Sequence, residues 1–108
     1  MLNSVIIVGR LTEDPILRKL ENGSTVCTLK LAVVRNFKNY EGEYETDFIK
    51  CTLWEGIATS AGEFCKKGSI VGIRGRLAVN KMEVKINEEL KKIDVLEVIA
   101  ERVSFIKI

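Results

Sequence analysis

Apolar and polar residues alternate along most of this chain, a pattern typical of β-strands that bury one face. Val5-Ile6-Ile7-Val8 is a β-branched run that predicts a first buried strand, ending at Gly9. Thr25 to Val34 alternates as a second strand, and Thr46 to Trp54 as a third. The first half of the chain is therefore predicted to form three strands.

Turn signals separate these predicted strands. Asp14-Pro15 marks a turn, and Glu21-Asn22-Gly23-Ser24 is typical of a β-hairpin. Asn39 to Glu43 is a polar loop that contains a glycine. The short connections favour antiparallel pairing between neighbouring strands.

The one helix predicted by the pattern runs from Glu55 to Lys67. Thr59 and Ser60 are candidate caps near its start, and Gly68 follows as a stop signal. The residues expected on its apolar face are Ile57, Ala58, Ala61, Phe64 and Cys65. Strand character returns from Ser69 to Leu77, which places Arg74 and Arg76 on the face opposite the apolar one.

Residues 79–95 fit two patterns. Met82, Ile86 and Leu90 have helical spacing, whereas Met82, Val84 and Ile86 alternate as in a strand. We favour a long hairpin that turns near Asn87-Glu88-Glu89, because the following residues are rich in β-branched side chains. Val103 to Ile106 then forms a short final strand.

The element order predicts an all-β fold with one helix, namely a five-stranded Greek-key oligonucleotide-binding barrel with a long β-hairpin. A chain of 108 residues has room for one such domain, spanning 1–108. Barrels of this kind bind oligonucleotides or oligosaccharides, so the side chains must decide the ligand.

The amino-acid composition excludes several classes of enzyme and metal site. The chain has no His, which excludes Ser-His-Asp and Cys-His catalysis and His-ligated metals. Cys27, Cys51 and Cys65 lack the paired spacing of a metal site, and we expect reduced, structural thiols. Asp47 and Glu55 have no motif-spaced partner for acid–base chemistry. We therefore expect no enzyme, no metal and no cofactor.

Charge and targeting signals bear on the expected ligand and on the cellular location. A net charge of +2 is too small to argue for a polyanionic ligand unless Lys and Arg gather on one surface. Charged residues interrupt every apolar run, so no membrane span is expected. The start Met1-Leu2-Asn3-Ser4 lacks the features of an export signal, and we expect a cytoplasmic protein.

The third strand carries the candidate chemistry. Alternation places Ile49, Cys51 and Leu53 on one face, and on the other a set of aromatic, cationic and hydroxyl side chains: Phe48, Lys50, Thr52 and Trp54. Exposed aromatics beside cations are what a sequence-tolerant binder of single strands needs. Phe37, with Arg35 and Lys38 beside it, ends the preceding strand and should lie near this face. Cross-strand packing is an equally good explanation of the aromatics.

The chain resembles the bacterial single-stranded DNA-binding proteins, in register over nearly its whole length. The likeness is carried by Leu2 to Pro15, Arg18, Gly23, Leu29 to Val33, Thr46 to Trp54, Lys67 to Ser69, and Gly75 to Leu77. The resemblance implies a barrel that assembles mostly as homotetramers and wraps single-stranded DNA. The resemblance further implies a role in replication, recombination, repair or DNA uptake, and an association with the nucleoid.

The resemblance also implies roles for individual residues. Phe37, Phe48 and Trp54 match base-stacking aromatics, and Lys50 and Arg18 match phosphate-contacting positions. The further backbone contacts that it suggests are Lys30, Arg35, Arg76 and Lys81.

The chain departs from the family pattern in two places. Met82 stands where the family usually has Trp or Tyr, so it should pack on a base less well than a ring. The hairpin around it looks a few residues longer than usual. The chain also stops at Ser104 to Ile108, without the acidic tail through which family members recruit other proteins. In this it resembles the tail-less paralogues of competence systems, mobile elements or phages. A domain trimmed from a longer protein would look the same.

Two functions remain open at this point. The first is a protective coat for single-stranded DNA, acting without tail-mediated partners. The second is an adapter barrel of the primosomal type, which contacts replication proteins and binds DNA weakly. The residues do not distinguish DNA from RNA, since stacking and phosphate attraction act on both.

Overall fold

A computed structural model describes residues 1–106 of the chain. Within them lie six strands and one helix. The elements are β1 (Val5–Leu11), β2 (Ile16–Lys19), β3 (Thr25–Lys38), β4 (Tyr44–Trp54), α1 (Glu55–Phe64), β5 (Ile70–Ile86) and β6 (Glu89–Ile106).

Five of these strands close into a barrel. The sheet order is β1-β5-β6-β4-β3-β2, and an additional β1–β3 pairing joins its ends. β4 and β6 pair in parallel at Cys51 and Val98, whereas the other pairings are antiparallel. This topology confirms the expected all-β oligonucleotide-binding barrel with one helix.

The barrel interior is filled by the inward residues of the alternating pattern. Leu29, Leu31, Leu53 and Val71 are completely or almost completely buried. Burying an aliphatic side chain of this size stabilises a fold by about 1.5–3 kcal/mol. The core therefore rests on the period-2 pattern already visible in the sequence.

The short strand β2 was missed by the sequence analysis. It has four residues, too few for alternation to be recognised, and it pairs only with β3 outside the closed barrel. The hairpin signal that follows it is confirmed, because Lys19 pairs with Thr25 across a turn in which Gly23 has φ +89°. β2 therefore widens the surface next to β3.

The helix begins at Glu55 as predicted but differs from the prediction in its capping and in its C-terminal end. It ends at Phe64 rather than Lys67, and the expected capping by Thr59 and Ser60 is wrong. Trp54 occupies the N-cap position without a side-chain cap, and the Thr59 hydroxyl instead donates to the carbonyl of Glu55. Phe64 was also expected to face the core but is 67% exposed, because it packs beside Phe105 at the barrel surface.

Residues 79–96 form an antiparallel arm, which we call the β5–β6 arm. Its strands turn at Asn87 and Glu88, both in the left-handed region with φ of 51° and 66°. Left-handed backbone at both central residues is the geometry of a two-residue type I′ hairpin. The long hairpin is thus confirmed and the helical alternative is wrong. Val103–Ile106 is the end of β6 rather than a separate strand.

The register of β5 against β6 shifts near the base of this arm. Arg74 pairs with Arg102 and Gly75 with Ala100, which leaves Glu101 as an extra residue of β6. A side chain at Gly75 would overlap the carbonyl oxygen of Ile99. Glycine at this position therefore permits the close approach of the two backbones at the bulge.

Candidate nucleic-acid interface

The outward face of β4 has the composition expected from the sequence. Phe48 is 62% exposed and Trp54 is 39% exposed, with Lys50 and Thr52 between them. The alternate residues Cys51 and Leu53 are fully buried in the core. The predicted assignment of faces is confirmed, so the aromatics of β4 are surface groups.

A cluster of cations lies beside this face. We call it the basic cleft, and it is lined by Glu13, Asp14, Ile16, Arg18, Thr28, Lys30 and Lys50. Lys30 on β3 and Lys50 on β4 are directly paired across the sheet. Three cations from three different strands therefore converge on one cleft, although the whole chain carries a net charge of only +2.

A second, larger cleft adjoins the first. This aromatic cleft of about 780 Å³ is lined by Val5, Ile7, Thr28, Phe48, Ile49, Lys50, Thr52, Leu77, Met82, Val95, Leu96, Glu97 and Val98. Thr28 and Lys50 line both clefts, so the two adjoin at these residues, and we call the pair of clefts, across β3, β4 and the base of the β5–β6 arm, the groove. The groove has cations at one end and an aromatic, mostly apolar surface at the other.

Phe48 and Met82 are two of the exposed apolar side chains that line the aromatic cleft, together with Leu77 and Leu96. The ammonium of Lys30 lies 6.0 Å from the centroid of the Phe48 ring, at the outer limit of a cation–π contact. Met82 reaches the same cleft from the β5–β6 arm and remains half exposed. The two residues stand on different strands, so a base could pack against both.

A carboxylate also lies in this cleft. The hydroxyl of Thr52 donates to Oε2 of Glu97 over 3.1 Å, which joins β4 to β6. Glu97 is partly buried and lines the cleft together with Phe48 and Lys50.

Trp54 lies at the far end of the outward face. It is the last residue of β4 and the N-cap of α1, about 20 Å along the strand from Phe48. It does not line either half of the groove, yet it shares the outward direction of Phe48 and Lys50. The aromatics are therefore spaced along a row rather than gathered in one pocket.

Arg35 is held by two carboxylates rather than pointing to open solvent. Its guanidinium donates to both oxygens of Asp47 over 3.0 and 2.9 Å, and to Glu45 over 2.7 Å. The hydrogen bond from Arg35 lowers the pKa of Asp47, and Asp47 in turn raises the pKa of Arg35. These contacts fix the β3–β4 hairpin, and they neutralise the charge that the resemblance assigned to the DNA backbone.

Phe37 lies within the stretch where the register of β3 against β4 shifts, between Val34 and Lys38. It lines a separate cleft with Arg35, Lys38, Asn39, Tyr40 and Glu45, at the tip of the β3–β4 hairpin. The structure thus groups Phe37 with Tyr40 and not with Phe48. The two rings are apart because Phe48 is directly opposite Ala32, five residues before Phe37 on β3, which is about 17 Å along the strand.

Arg76 and Lys81 lie outside the groove. Arg76 follows Arg74 on the outward side of β5, near the barrel surface formed with β1. Lys81 sits on the β5–β6 arm, directly opposite Asp94. Both are exposed, but neither lines the basic or the aromatic cleft.

The cysteines are core residues, as expected. All three are buried, and burial raises the pKa of Cys51 to about 11. Across residues 1–106, no three His, Cys, Asp or Glu side chains come together in a way that would hold a metal ion. Within the same residues, no helix has the length and apolar character that a membrane crossing requires.

Sequence reasoning missed several groove residues. Thr28 is directly opposite Thr52, and its outward position could have been read from the alternation of β3. Glu97 had no such signal, because only the parallel β4–β6 pairing brings it beside Thr52. Asn3 was also missed: its amide exchanges two hydrogen bonds, of 2.8 and 2.9 Å, with the backbone of Leu77, and so holds the base of the β5–β6 arm.

Comparison with known proteins finds relatives along the whole described chain. The model of the "Single-strand binding protein family" matches residues 2–106. Single-stranded DNA-binding protein B of Bacillus subtilis is 46% identical over 97% of this chain and 90% of its own length. Single-stranded DNA-binding protein A of the same organism is 47% identical over 99% of this chain.

The relatives differ in how much of their length is matched. Single-stranded DNA-binding protein 2 of Listeria innocua is 45% identical over 99% of this chain. The chain spans 60% of the length of protein A and 65% of the length of the Listeria protein.

Proposed function

The chain belongs to the single-strand binding protein family, and from this membership we propose that it binds single-stranded DNA with little regard to sequence. Bases stack on Phe48 and Trp54 and pack against Met82. The phosphates are attracted by Arg18, Lys30 and Lys50. The polymer lies along the groove, across β3 and β4, and follows the outward row of β4 toward Trp54.

The structural observation that supports this proposal is that the basic and the aromatic cleft adjoin at Thr28 and Lys50. A polynucleotide needs cations and π-faces at nucleotide spacing along one path. Lys50 lines both the basic and the aromatic cleft, so phosphate attraction and base packing adjoin each other there. Base–aromatic stacking contributes about 1–3 kcal/mol per base and accepts any base, which explains tolerance of sequence.

The remaining site residues have supporting roles in this proposal. Phe37 and Tyr40 offer a second stacking surface at the tip of the β3–β4 hairpin. Arg35 orients that hairpin through Asp47 and Glu45 more than it binds phosphate. Arg76 and Lys81 are exposed cations that a strand leaving the groove can meet.

We propose a homotetramer as the assembled form. Ile6 is 78% exposed and Val8 is 55% exposed on the outer face of β1, where apolar side chains of a monomer would normally be covered. Gly72 lies between Val8 and Ser104 in the sheet, and its lack of a side chain leaves this face flat. Sedimentation of the protein and of an Ile6→Lys variant tests the assembly, since a buried lysine should dissociate it.

The proposed biological role is protection of exposed single strands during replication, recombination, repair or DNA uptake. The protein would act in the cytoplasm, at the nucleoid, as a binding protein rather than an enzyme. Partners recruited through an acidic tail have no part in this proposal.

Titration with oligo-dT at low and high salt, followed by tryptophan fluorescence, tests the binding directly. Trp54 is the one tryptophan among the 108 residues, so quenching reports on one place. We expect strong quenching that saturates at a fixed nucleotide-to-protein ratio and weakens with salt. Duplex DNA of the same length is the control. A flat titration of folded protein by both fluorescence and mobility shift would contradict the proposal and favour the adapter function.

A further inference from the structure

We propose that Glu97 reads one base edge within the groove and makes this otherwise tolerant site prefer guanine. The inference rests on the proposed function, because it concerns how the aromatic cleft treats the bases that it holds. It is carried by the position of the carboxylate, by the hydrogen bond that orients it, and by the donors that the bases offer.

The carboxylate of Glu97 is electrostatically unfavourable in a site that binds a polyanion. Its carboxylate lines the same cleft as Lys50 and Phe48, where it repels any phosphate that comes close. Within residues 1–106 the ion pairs are the two made by Arg35, so Glu97 does not serve to neutralise Lys50 through a salt bridge. A carboxylate at this position is suited instead to accept hydrogen bonds from the bases, whose edges carry N–H donors.

The carboxylate is also held in one orientation. Thr52 donates to Oε2 over 3.1 Å, and β4 and β6 are paired at Thr52 and Ile99, close to both residues. A carboxylate has about four lone-pair sites, and the Thr52 hydroxyl occupies one of them. The acceptors that remain belong to a residue that lines the same cleft as Phe48, so a base that stacks on that ring and extends into the cleft can present its edge to them.

The bases differ in what they offer to such an acceptor. Guanine presents N1–H and N2–H side by side, and these two donors match the two oxygens of a carboxylate. Thymine has one N–H between two carbonyl oxygens, and these oxygens repel the carboxylate. Adenine and cytosine each present an amino group next to a ring nitrogen that is an acceptor. A two-donor edge therefore distinguishes guanine from the other three.

The experiment compares three oligonucleotides of equal length. The reference is oligo-dT. In the second, alternate thymidines are replaced by 7-deazadeoxyguanosine, which keeps N1–H and N2–H but cannot form quadruplexes. In the third, they are replaced by deoxyinosine, which lacks the N2 amino group. We expect the 7-deazaguanine oligonucleotide to bind roughly fivefold or more tightly than the inosine one, the low end of discrimination by a bidentate contact.

Two variants assign the preference to Glu97. Glu97→Gln keeps the size of the side chain but presents one acceptor and one donor, a pattern that matches adenine instead. We expect its guanine preference to disappear and binding to a deoxyadenosine-substituted oligonucleotide to improve relative to oligo-dT. Thr52→Val keeps the carboxylate but removes its orienting hydrogen bond, so the preference should weaken. Glu101→Gln makes the same chemical change on the same strand, outside the groove, and should leave the preference intact.

The outcomes separate this inference from the proposed function. If folded wild-type protein does not bind oligo-dT, the proposed function fails and this inference fails with it. If oligo-dT binds but 7-deazaguanine and inosine bind equally, Glu97 does not read the base and the inference alone is overturned. A preference that survives in Glu97→Gln, with the variant folded by circular dichroism, also overturns it.

Discussion

Lys30 and Lys50 face each other directly across β3 and β4, where both line the basic cleft. Like charges placed opposite each other in a sheet are destabilising, and no carboxylate forms a salt bridge with either lysine within residues 1–106. An arrangement that costs stability in the free protein is explained when a phosphate binds between the two ammonium groups. The pair is therefore the part of the fold that most directly indicates an anionic ligand.

Replacing Lys50 with Ala should remove about one phosphate contact. The slope of log K against log[salt] should become less steep by about 0.7, the value for one phosphate of a single strand. Measuring oligo-dT affinity at four or five salt concentrations gives this slope. Lys66→Ala, an exposed lysine after α1 and outside the groove, is the matched control. Equal slopes in both variants would mean that Lys50 does not contact phosphate.

Replacing Trp54 with Ala should weaken binding by about 1–3 kcal/mol, because one stacking surface is lost. Folding should persist, since the ring is 39% exposed and lies outside the core. Anisotropy of a labelled oligonucleotide measures the affinity, because the variant has no tryptophan signal.

Phe64→Ala provides the comparison for Trp54. Phe64 is also an exposed ring, but it packs beside Phe105 and does not line the groove. Its removal should leave affinity for oligo-dT unchanged. Unfolding of the Trp54 variant with retained affinity in its folded fraction would show that Trp54 is structural.

The Asp47–Arg35 pair should make stability depend on acid pH. The pKa of Asp47 is lowered in the folded protein by Arg35, so its contribution is present above the ordinary value of 3.8. That contribution is lost as pH falls through the lowered folded value. We therefore expect Asp47→Asn to destabilise at pH 7 and the difference from wild type to shrink below about pH 4.

Urea unfolding at pH 7 and pH 3 checks this expectation. Glu41→Gln, at an exposed turn position of the same hairpin, should have little effect at either pH. A constant difference between wild type and Asp47→Asn across this range would show that ionisation of Asp47 does not contribute to folding.

Gly75 should be intolerant of any side chain. A Cβ there would overlap the carbonyl oxygen of Ile99, so Gly75→Ala should destabilise by about 1–3 kcal/mol. Gly56→Ala is the contrasting change: it lies in α1 with open space around it and should be neutral or stabilising by up to about 1 kcal/mol. Thermal unfolding of the two variants gives the comparison, and equal midpoints would contradict the close approach at the bulge.

Glu88→Gly should stabilise the β5–β6 arm. Glu88 has φ 66°, which is a left-handed backbone conformation. A residue with a side chain pays about 1 kcal/mol to adopt it, whereas glycine adopts it without this steric cost. Amide hydrogen exchange in residues 82–93 is the sensitive measurement, because it reports local opening of the arm separately from unfolding of the barrel. Slower exchange there, with unchanged exchange in β3, is the expected result. Faster exchange in the arm would show that the side chain of Glu88 contributes more than its backbone strain costs.

Much of the fold and part of the site could be predicted from local sequence. Alternation alone placed Leu53 inside and Phe48 outside, because a strand turns each successive side chain to the opposite face. The turn at Asn87 and Glu88 was located by the polar residues between two apolar runs. The C-terminal end of α1 and the four-residue β2 were not predicted, since short-range signals there are weak and packing decides them.

What the sequence by itself determined is which residues face outward on each strand and which class of barrel they build. Only the tertiary structure decided which of those residues meet. Closing the barrel brings Glu97 to Thr52 across a parallel pairing, and the pairing of Phe48 with Ala32 leaves Phe37 five residues farther along β3. Arg35, for which the resemblance suggested a phosphate contact, is instead paired with Asp47 and Glu45. The reason is physical: side-chain direction follows a two-residue period within one strand, whereas proximity depends on the register between strands far apart in the chain.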